Sequence, residues 1–559
     1  VDAYRFDLEY KLGSHLLRAG IDKVSLQSKN AGDVLAGNGL YRYFRTTNAA
    51  LKPNGATTAV GAGAGVLTQL NAAGTTAANS TYYYYGYEQI FETTTNAESN
   101  QSAIYLEDKW QVNKQLTVTP GIRVEKYSNV NGDGEKFLTV KTQLHPRLQF
   151  SYDVFNDGRT KLYGSAGRYG VQIPTHLAVR GASRSTFTRQ PFVYTGVDAN
   201  GVPIGRADLG TPFSSNNEYG QAKDAKTVAA QDIKPNSQDE LTLGIERALS
   251  NKLNVGVKAT YRSLVATIDD LCDPRPFQAY ATRNNIDTTN WAGFGCASFN
   301  PGKGNTFLID FAGNGTYTAV NLTAAELGFQ KAKRTYFALD FFAEHPFSDG
   351  WYGKVTYTYA KNKGNTEGQT LSDVAQTDVA ATQTWDHPEL MDGAYGYLPN
   401  DRRHQIKAYG YMAVTPQIIV GANALLASGR PKNCIGNFAG TPSFGTSPAD
   451  FDSDYSYGSS YRYCSFDGVT SVPTPRGNQG TLPWEYRLDM NLAYRPAQVK
   501  GLQFKVDVFN LFNRQSAQAI DEVHEDAGDI TAVLPRYGRI IQNTAPRSVK
   551  LTVSYDHKF

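Results

Sequence analysis

Residues 551–559 read LTVSYDHKF, and with the two residues before them they set one kind of side chain against another at every step. Val549, Leu551, Val553, Tyr555, His557 and Phe559 fall on one side of an extended strand. Lys550, Thr552, Ser554, Asp556 and Lys558 fall on the other. That is a repeat of two, with one oily face and one charged face, and it closes on an aromatic residue. The pattern also opens the chain. Tyr4, Phe6, Leu8, Tyr10 and Leu12 alternate with Arg5, Asp7, Glu9 and Lys11, and Gly13-Ser14 turns into a second strand over 15–28. Residues 1–10 carry no basic and apolar leader pattern, so a signal peptide is expected to lie outside this sequence.

Between these ends the alternation returns in hairpins of about ten to fifteen residues per arm. Residues 101–112 turn at Asn113-Lys114 into 115–126; 143–155 turn at Asn156-Asp157-Gly158 into 159–170; 238–249 turn at Ser250-Asn251 into 252–268. Residues 333–345 turn at Ser348-Asp349-Gly350 into 351–363, 402–414 turn at Thr415-Pro416 into 417–429, and 484–495 link to 502–514. Asn, Asp and Gly in these turns tolerate positive φ, which tight hairpins need. A short strand at 41–45, a strand opened by the tyrosines 82–85 and the final strand at 546–559 bring the expectation to about 17 strands.

Long connections alternate with the short turns: roughly 171–236, 269–330, 364–400, 430–482 and 516–545, besides an Ala/Gly/Thr/Asn-rich stretch over 48–80. Structureless loops of that length argue against a compact soluble domain. A transmembrane barrel requires them, with long loops outside and short turns on the periplasmic side. A propeller would show a fixed repeat, and none is present. Sandwich strands are usually shorter than these. Tyr82–Tyr85, Trp110, Trp351, Tyr352, Trp484 and Tyr486 cluster near strand ends, as aromatic girdles at the two bilayer interfaces do.

Composition agrees. The chain has 559 residues with 52 Gly, 35 Tyr and 27 Phe, and a net charge of only +3, so it carries no electrostatic footprint for nucleic acid. The mean hydropathy of -0.44 looks hydrophilic. No run of 18 apolar residues is present, which excludes a membrane-spanning helix but not a barrel, where every second residue faces a polar lumen. The fold class is all-β: a transmembrane antiparallel β-barrel of the outer membrane.

Six segments then carry a family resemblance. They are AIYLEDKWQVNKQLTVTPGIRVE at 103–125, PNDRRHQIKAYGY at 399–411, ASGRP at 427–431, RGNQGTLPWEYRLDMNLAYR at 476–495, FKVDVFNLFNRQ at 504–515 and PRSVKLTVSYDHKF at 546–559. In this order they resemble the C-terminal part of a TonB-dependent outer-membrane transporter, most like the Oar-like group. The resemblance implies a barrel of about 22 strands around an N-terminal plug, importing a scarce ligand with energy from the inner membrane. It also implies TonB as a partner through an N-terminal segment. The C-terminal strand, with Tyr555 and Phe559 as the assembly signal, would meet the barrel-assembly machinery.

The sequence departs from that family in one respect. No plug and no TonB-binding segment is recognisable, because strand pattern begins at Tyr4. The Gly13-Ser14 turn makes the first strand descend, and the last strand also descends to a periplasmic end. Strands 6 to 22 of such a barrel number 17, so residues 1–559 are expected to be its C-terminal portion, without the plug and first strands. A sheet with two open edges could not sit alone in a bilayer.

Four cysteines fall in two loops, Cys272 with Cys296 and Cys434 with Cys464. Pairing within each loop is the most economical of the three possibilities and suits an oxidising compartment. Closing loops of that size stabilises by about 3–4 kcal/mol on the chain-entropy account. No CxxC and no neighbouring His supports a metal instead.

Catalysis has little support. Asp386-His387 and Asp401 to His404 place a histidine beside carboxylates, but no nucleophile–base pair stands on facing strand ends. Asp450, Asp452 and Asp454 alternate as Ca²⁺ ligands can, yet Tyr455 stands where an EF-hand turn needs Gly and Tyr461 where it needs Glu. No catalytic, cofactor or metal residue is therefore expected. The charges Lys354, Arg487, Asp489, Arg495, Lys505 and Asp507 fall on the lumen side and are expected to pair across strands. Energy-coupled import is the first functional expectation; a passive porin or structural surface barrel is the alternative, and a barrel hydrolase the third. Aromatic and Asn/Gly-rich loops favour a sizeable polar ligand such as a glycan or peptide.

Overall fold

The computed structural model describes residues 1–31, 40–62, 83–131, 134–171, 173, 177, 184–214, 218–222, 224–374, 376, 382–437, 457–526 and 529–556. Its frame is a single antiparallel meander of long strands. These are β1 (Asp2–Leu12), β2 (His15–Ala31), β3 (Tyr83–Gln111), β4 (Leu116–Val130), β5 (Lys136–Asp153), β6 (Thr160–Gly170), β7 (Ser237–Ser250) and β8 (Leu253–Ala266). They continue as β9 (Arg334–Ser348), β10 (Trp351–Gly364), β11 (His404–Ala413), β12 (Ile418–Ala427), β13 (Glu485–Tyr494), β14 (Leu502–Phe509) and β15 (Ser548–Tyr555). Each pairs with the next in this order. Among the described residues no helix is long and apolar enough to cross a membrane.

The turns form for the reasons their residues supply. Gly13 sits at φ 59°, Asn156 and Gly158 at 56° and 67°, and Asp349 and Gly350 at 51° and 82°. Asn113 needs no glycine: its Oδ1 accepts the backbone N–H groups of Gln115 and Leu116 at 2.8 and 2.9 Å, closing the β3–β4 turn. Thr415 does the same through its hydroxyl for Gln417 and Ile418.

Cross-strand register separates the two faces. Phe6, Ile21, Ile104, Val124 and Leu144 lie in one row across β1 to β5. Phe6, Ile21, Ile104 and Leu144 are more than half exposed, as the outward apolar groups of a membrane barrel are. The opposite face carries a row of charge. Glu9, Arg18, Glu107, Gly121, Arg147, Gly167, Glu240 and Arg262 follow one another across β1 to β8. Arg18 pairs with Glu9 and lies 3.8 Å from Glu107, and Arg262 pairs with Glu240 at 2.5 Å. Opposite charges on adjacent strands thus pair at the two ends of the row, while Arg147 stands between Gly121 and Gly167.

Five expectations change. The meander has fifteen long strands among the described residues, not about 17. The polar run ETTTNAESN at 92–100 does not break the chain into two strands. It is the middle of β3, whose 29 residues would span about 95 Å fully extended. That exceeds a hydrocarbon core of about 30 Å several-fold, so much of β3 needs no apolar face. The strand at 41–45 extends to Leu40–Thr46 and pairs with the outer end of β3, whose other edge there takes Arg184–Val193. It belongs to an outer extension rather than to the wall. Tyr83–Tyr85 therefore stand beyond any bilayer interface, whereas Trp110 and Trp351 sit at the short-turn end, stacked on His15 and His345. Finally, β14 stops at Phe509 rather than continuing to 514, because Asn510 and Asn513 both take φ 51° and turn the chain.

The long connections are not structureless. Trp385, Phe277, Phe299, Phe307, Leu271 and Leu327, all in the loops, are among the most completely buried side chains. They pack a hydrophobic core beyond the outer end of the wall.

Candidate functional site

The candidate site is the cap that these outer loops build. Its first half is the segment after β8. Asp269–Leu271 pairs with Ala297–Phe299, and the Cys272–Cys296 disulfide closes the same pair of strands, with the Cα atoms 4.2 Å apart. Between the cysteines runs a helix, Arg275–Arg283, started by proline near its first position where the missing N–H costs nothing. It presents Phe277 inward to stack on Phe294 at 4.0 Å and to meet Phe307 edge-on at 5.1 Å. The Asn305–Ile309 and Thr318–Leu322 hairpin completes this half. A one-turn helix then follows with a full capping box, Thr323 and Glu326, and Gly328 at φ 75° ends it.

The second half is ionic. Cys434 and Cys464 are bonded with Cα atoms 6.2 Å apart, in the loop between β12 and β13. Next to them Asp373, reaching in from the loop after β10, receives Arg462 and Arg476 on one carboxylate oxygen and the Asn433 amide on the other at 2.9 Å. The same Asn433 amide also donates to Glu522 at 2.8 Å, and its oxygen accepts from Arg462 at 2.9 Å and from the Gly477 N–H at 2.8 Å. Arg430 pairs with Glu522 at 3.2 Å. All six side chains are buried. Burial would push the Asp373 carboxyl up, but Arg476 and Arg462 overcome it and hold the group well below the usual range. Glu522 goes the other way: burial, opposed by Arg430 and helped by Asp373, pushes it up to about 7. Three separate loops are thus tied at one buried point.

Between the segment before β7 and the first half of the cap lies a cavity of about 490 Å³. One wall is the segment before β7, with Tyr219 and Asp224. The other is the disulfide-closed half of the cap, with Trp291, Phe294, Asp310 and Tyr317. Trp291 is held edge-on to Phe311 at 5.2 Å. The Lys226 ammonium lies 4.6 Å over the Tyr317 ring.

The structure sorts the residues expected from sequence. The four cysteines sit at the roots of the two cap halves. Tyr555 ends β15 and is exposed, while Phe559 lies outside the described residues, as do Asp450, Asp452 and Asp454. The lumen charges pair, though mostly within a strand: Lys505 with Asp507 at 2.7 Å and Arg487 with Asp489 at 2.9 Å. Lys354 does reach across to Glu344 at 3.3 Å, and Arg495 bonds Gln503 at 2.8 Å. His387 and His404 are not brought together. His387 is buried beside Tyr457, and burial pushes its pKa down to about 4, so it stays neutral. The His404 ring bonds the Tyr357 hydroxyl at 2.8 Å and stacks on Trp484. Sequence reasoning missed the ionic point altogether. Asn433, Arg462 and Arg476 lie 60, 89 and 103 residues from Asp373, and no local spacing signals them.

Comparison with known proteins adds the following. Residues 2–262 match the family model described as TonB dependent receptor-like, beta-barrel. Over 459 residues the chain is 26% identical to the TonB-dependent transporter Oar of Myxococcus xanthus, covering 78% of this chain and 37% of that protein. The chain thus spans little more than a third of the length of that relative. Among solved structures, the outer membrane transporter YddB from Escherichia coli aligns over 99% of this chain and 62% of its own, at 11% identity and a TM-score of 0.46. The siderophore receptor PiuA from Acinetobacter baumannii aligns over 97% and 56%, at 10% identity and a TM-score of 0.42.

Proposed function

We propose, from the match of residues 2–262 to the TonB dependent receptor-like β-barrel model, that the chain is part of an outer-membrane β-barrel serving TonB-dependent uptake of a scarce ligand. The ligand is a peptide, glycan or chelate captured at the cap and passed through a plugged barrel. The match over residues 2–262 is the observation that carries this reading. The wall and cap are consistent with it. A lumen face lined by paired charges keeps a wide interior wet without fixing its own contents. A cap built on disulfides and a buried ionic point offers a binding surface that is ordered before the ligand arrives, which lowers the entropic cost of capture.

In this reading β1 to β15 form the C-terminal portion of the wall, and TonB engages the protein through an N-terminal segment. The C-terminal strand, with Tyr555 and Phe559, is read by the barrel-assembly machinery. Intact mass of the native protein from purified outer membranes tests the first point: a product longer by a plug-sized segment supports it, and a mass of 61.3 kDa overturns it. Uptake by cells with and without a protonophore tests the coupling. Import that continues unchanged when the proton gradient is collapsed would identify a passive porin instead.

A further inference from the structure

The cavity between the segment before β7 and the disulfide-closed half of the cap has a composition that selects charge. Tyr219, Trp291, Phe294 and Tyr317 supply four aromatic rings, and Asp224 and Asp310 supply two carboxylates. No Lys or Arg is among its described lining residues. Aromatic faces attract a cation through the ring quadrupole, and carboxylates attract it directly; both disfavour an anion. The wall already shows the preference, because the Lys226 ammonium rests 4.6 Å over the Tyr317 ring, two residues from Asp224. Two carboxylates against that one ammonium leave a net negative charge for a ligand to answer. The volume of about 490 Å³ lies within the range of small-molecule sites and admits one or two long side chains.

The walls are fixed rather than adaptable. The Trp291 loop is closed by the Cys272–Cys296 bond and pinned against Phe311. Asp310 accepts the backbone N–H groups of Asn314 and Gly315 at 3.2 and 2.7 Å, which orients its carboxylate. Asp224 accepts the Lys226 N–H at 2.9 Å and is oriented in the same way. Each carboxylate oxygen has a second lone pair for a ligand donor.

We propose that this cavity binds an ammonium or guanidinium group, so that the cargo is a peptide presenting basic side chains rather than a neutral glycan. The inference rests on the uptake reading for its biological use but not for its chemistry, which concerns binding alone. The test is calorimetric titration of the detergent-solubilised full chain with a tetra-arginine peptide, its citrulline counterpart and a neutral oligosaccharide. Tetra-arginine is expected to bind at least tenfold more tightly than the citrulline peptide, in a salt-sensitive way. Asp224→Asn keeps the oxygen that holds the Lys226 N–H, removes the charge, and is expected to weaken tetra-arginine about tenfold and so to narrow its advantage over the citrulline peptide. Tyr219→Leu, at a half-exposed ring, is the second variant and reads the aromatic contribution without touching the Trp291–Phe311 packing. Equal affinity for the two peptides, or preference for the oligosaccharide, overturns the proposal. So does arginine binding that neither variant alters, since the cation then binds elsewhere in the barrel. Failed uptake with intact binding would count against the transport reading and leave this site standing.

Discussion

The wall and the cap of this molecule are built on opposite plans. In the wall the long strands bury few side chains fully: β9 buries one of its fifteen and β12 two of its ten. The wall's stability comes from backbone ladders, from cross-strand pairs worth a fraction of a kcal/mol each, and from a lipid that solvates its outer face. The cap instead buries Trp385, Phe277 and Phe299, closes two disulfides and encloses a buried charged cluster. It is organised like a small secreted domain, although it is made of loops. The difference teaches that exposure and order are separate properties here: the regular strands are the solvated part and the irregular connections are the packed part.

The strongest way to break that contrast is at Asp373. Asp373→Ala leaves Arg462 and Arg476 buried without their carboxylate and is expected to cost the cap about 3–5 kcal/mol. Limited proteolysis should then cut within 457–482, while the wall keeps its resistance to cold SDS on gels. If the wall melts with the cap, the two are one cooperative unit and the contrast fails. Next, replacing Cys434 and Cys464 by Ser should cost about 3 kcal/mol, since the bond closes a loop of 30 residues. The same gel and protease pair reads it.

A smaller effect follows from Glu522. Its folded pKa, at about 7, lies above the ordinary value of 4.5, so the folded state holds the proton better than the unfolded state. The stability this adds is complete below pH 4.5 and is lost as pH rises through about 7. The buried, neutral His387 acts in the opposite sense: the stability it contributes is present above pH 6.5 and lost as pH falls toward 4. Between pH 6.5 and 8 the Glu522 effect is therefore separable, and the cap should grow more protease-sensitive with rising pH. Glu522→Gln should remove that slope; an unchanged slope in the variant would assign it to another group. The smallest change is expected at the wall. Arg262→Ala removes the pair with Glu240, both partly solvated, and should shift wall stability by about 1 kcal/mol or less, as read by the SDS concentration of unfolding.

Legibility followed the same division. The wall could be read because its information is local: a period of two within each strand, and Asn, Asp and Gly at Asn156–Gly158 and Ser348–Gly350. The cysteine pairs were equally visible, each closing its own loop. The polar middle of β3 misled the count, since outside a bilayer a strand paired on both edges needs no oily face. The cap was opaque for a different reason. Phe277 and Phe307 are thirty residues apart and read singly as loop aromatics, and nothing near Asp373 announces arginines from another loop. Packing that depends on distant segments leaves no periodic trace.

The length of β3 has a consequence for what meets this protein first. Tilted by about 40°, a strand of 29 residues still rises roughly 70 Å along the membrane normal, of which about 30 Å is hydrocarbon. Its tyrosine-rich outer end and the Leu40–Thr46 and Arg184–Val193 strands beside it therefore stand as a mast above the cell. A large particle approaching from outside meets these strands before it meets the mouth of the wall.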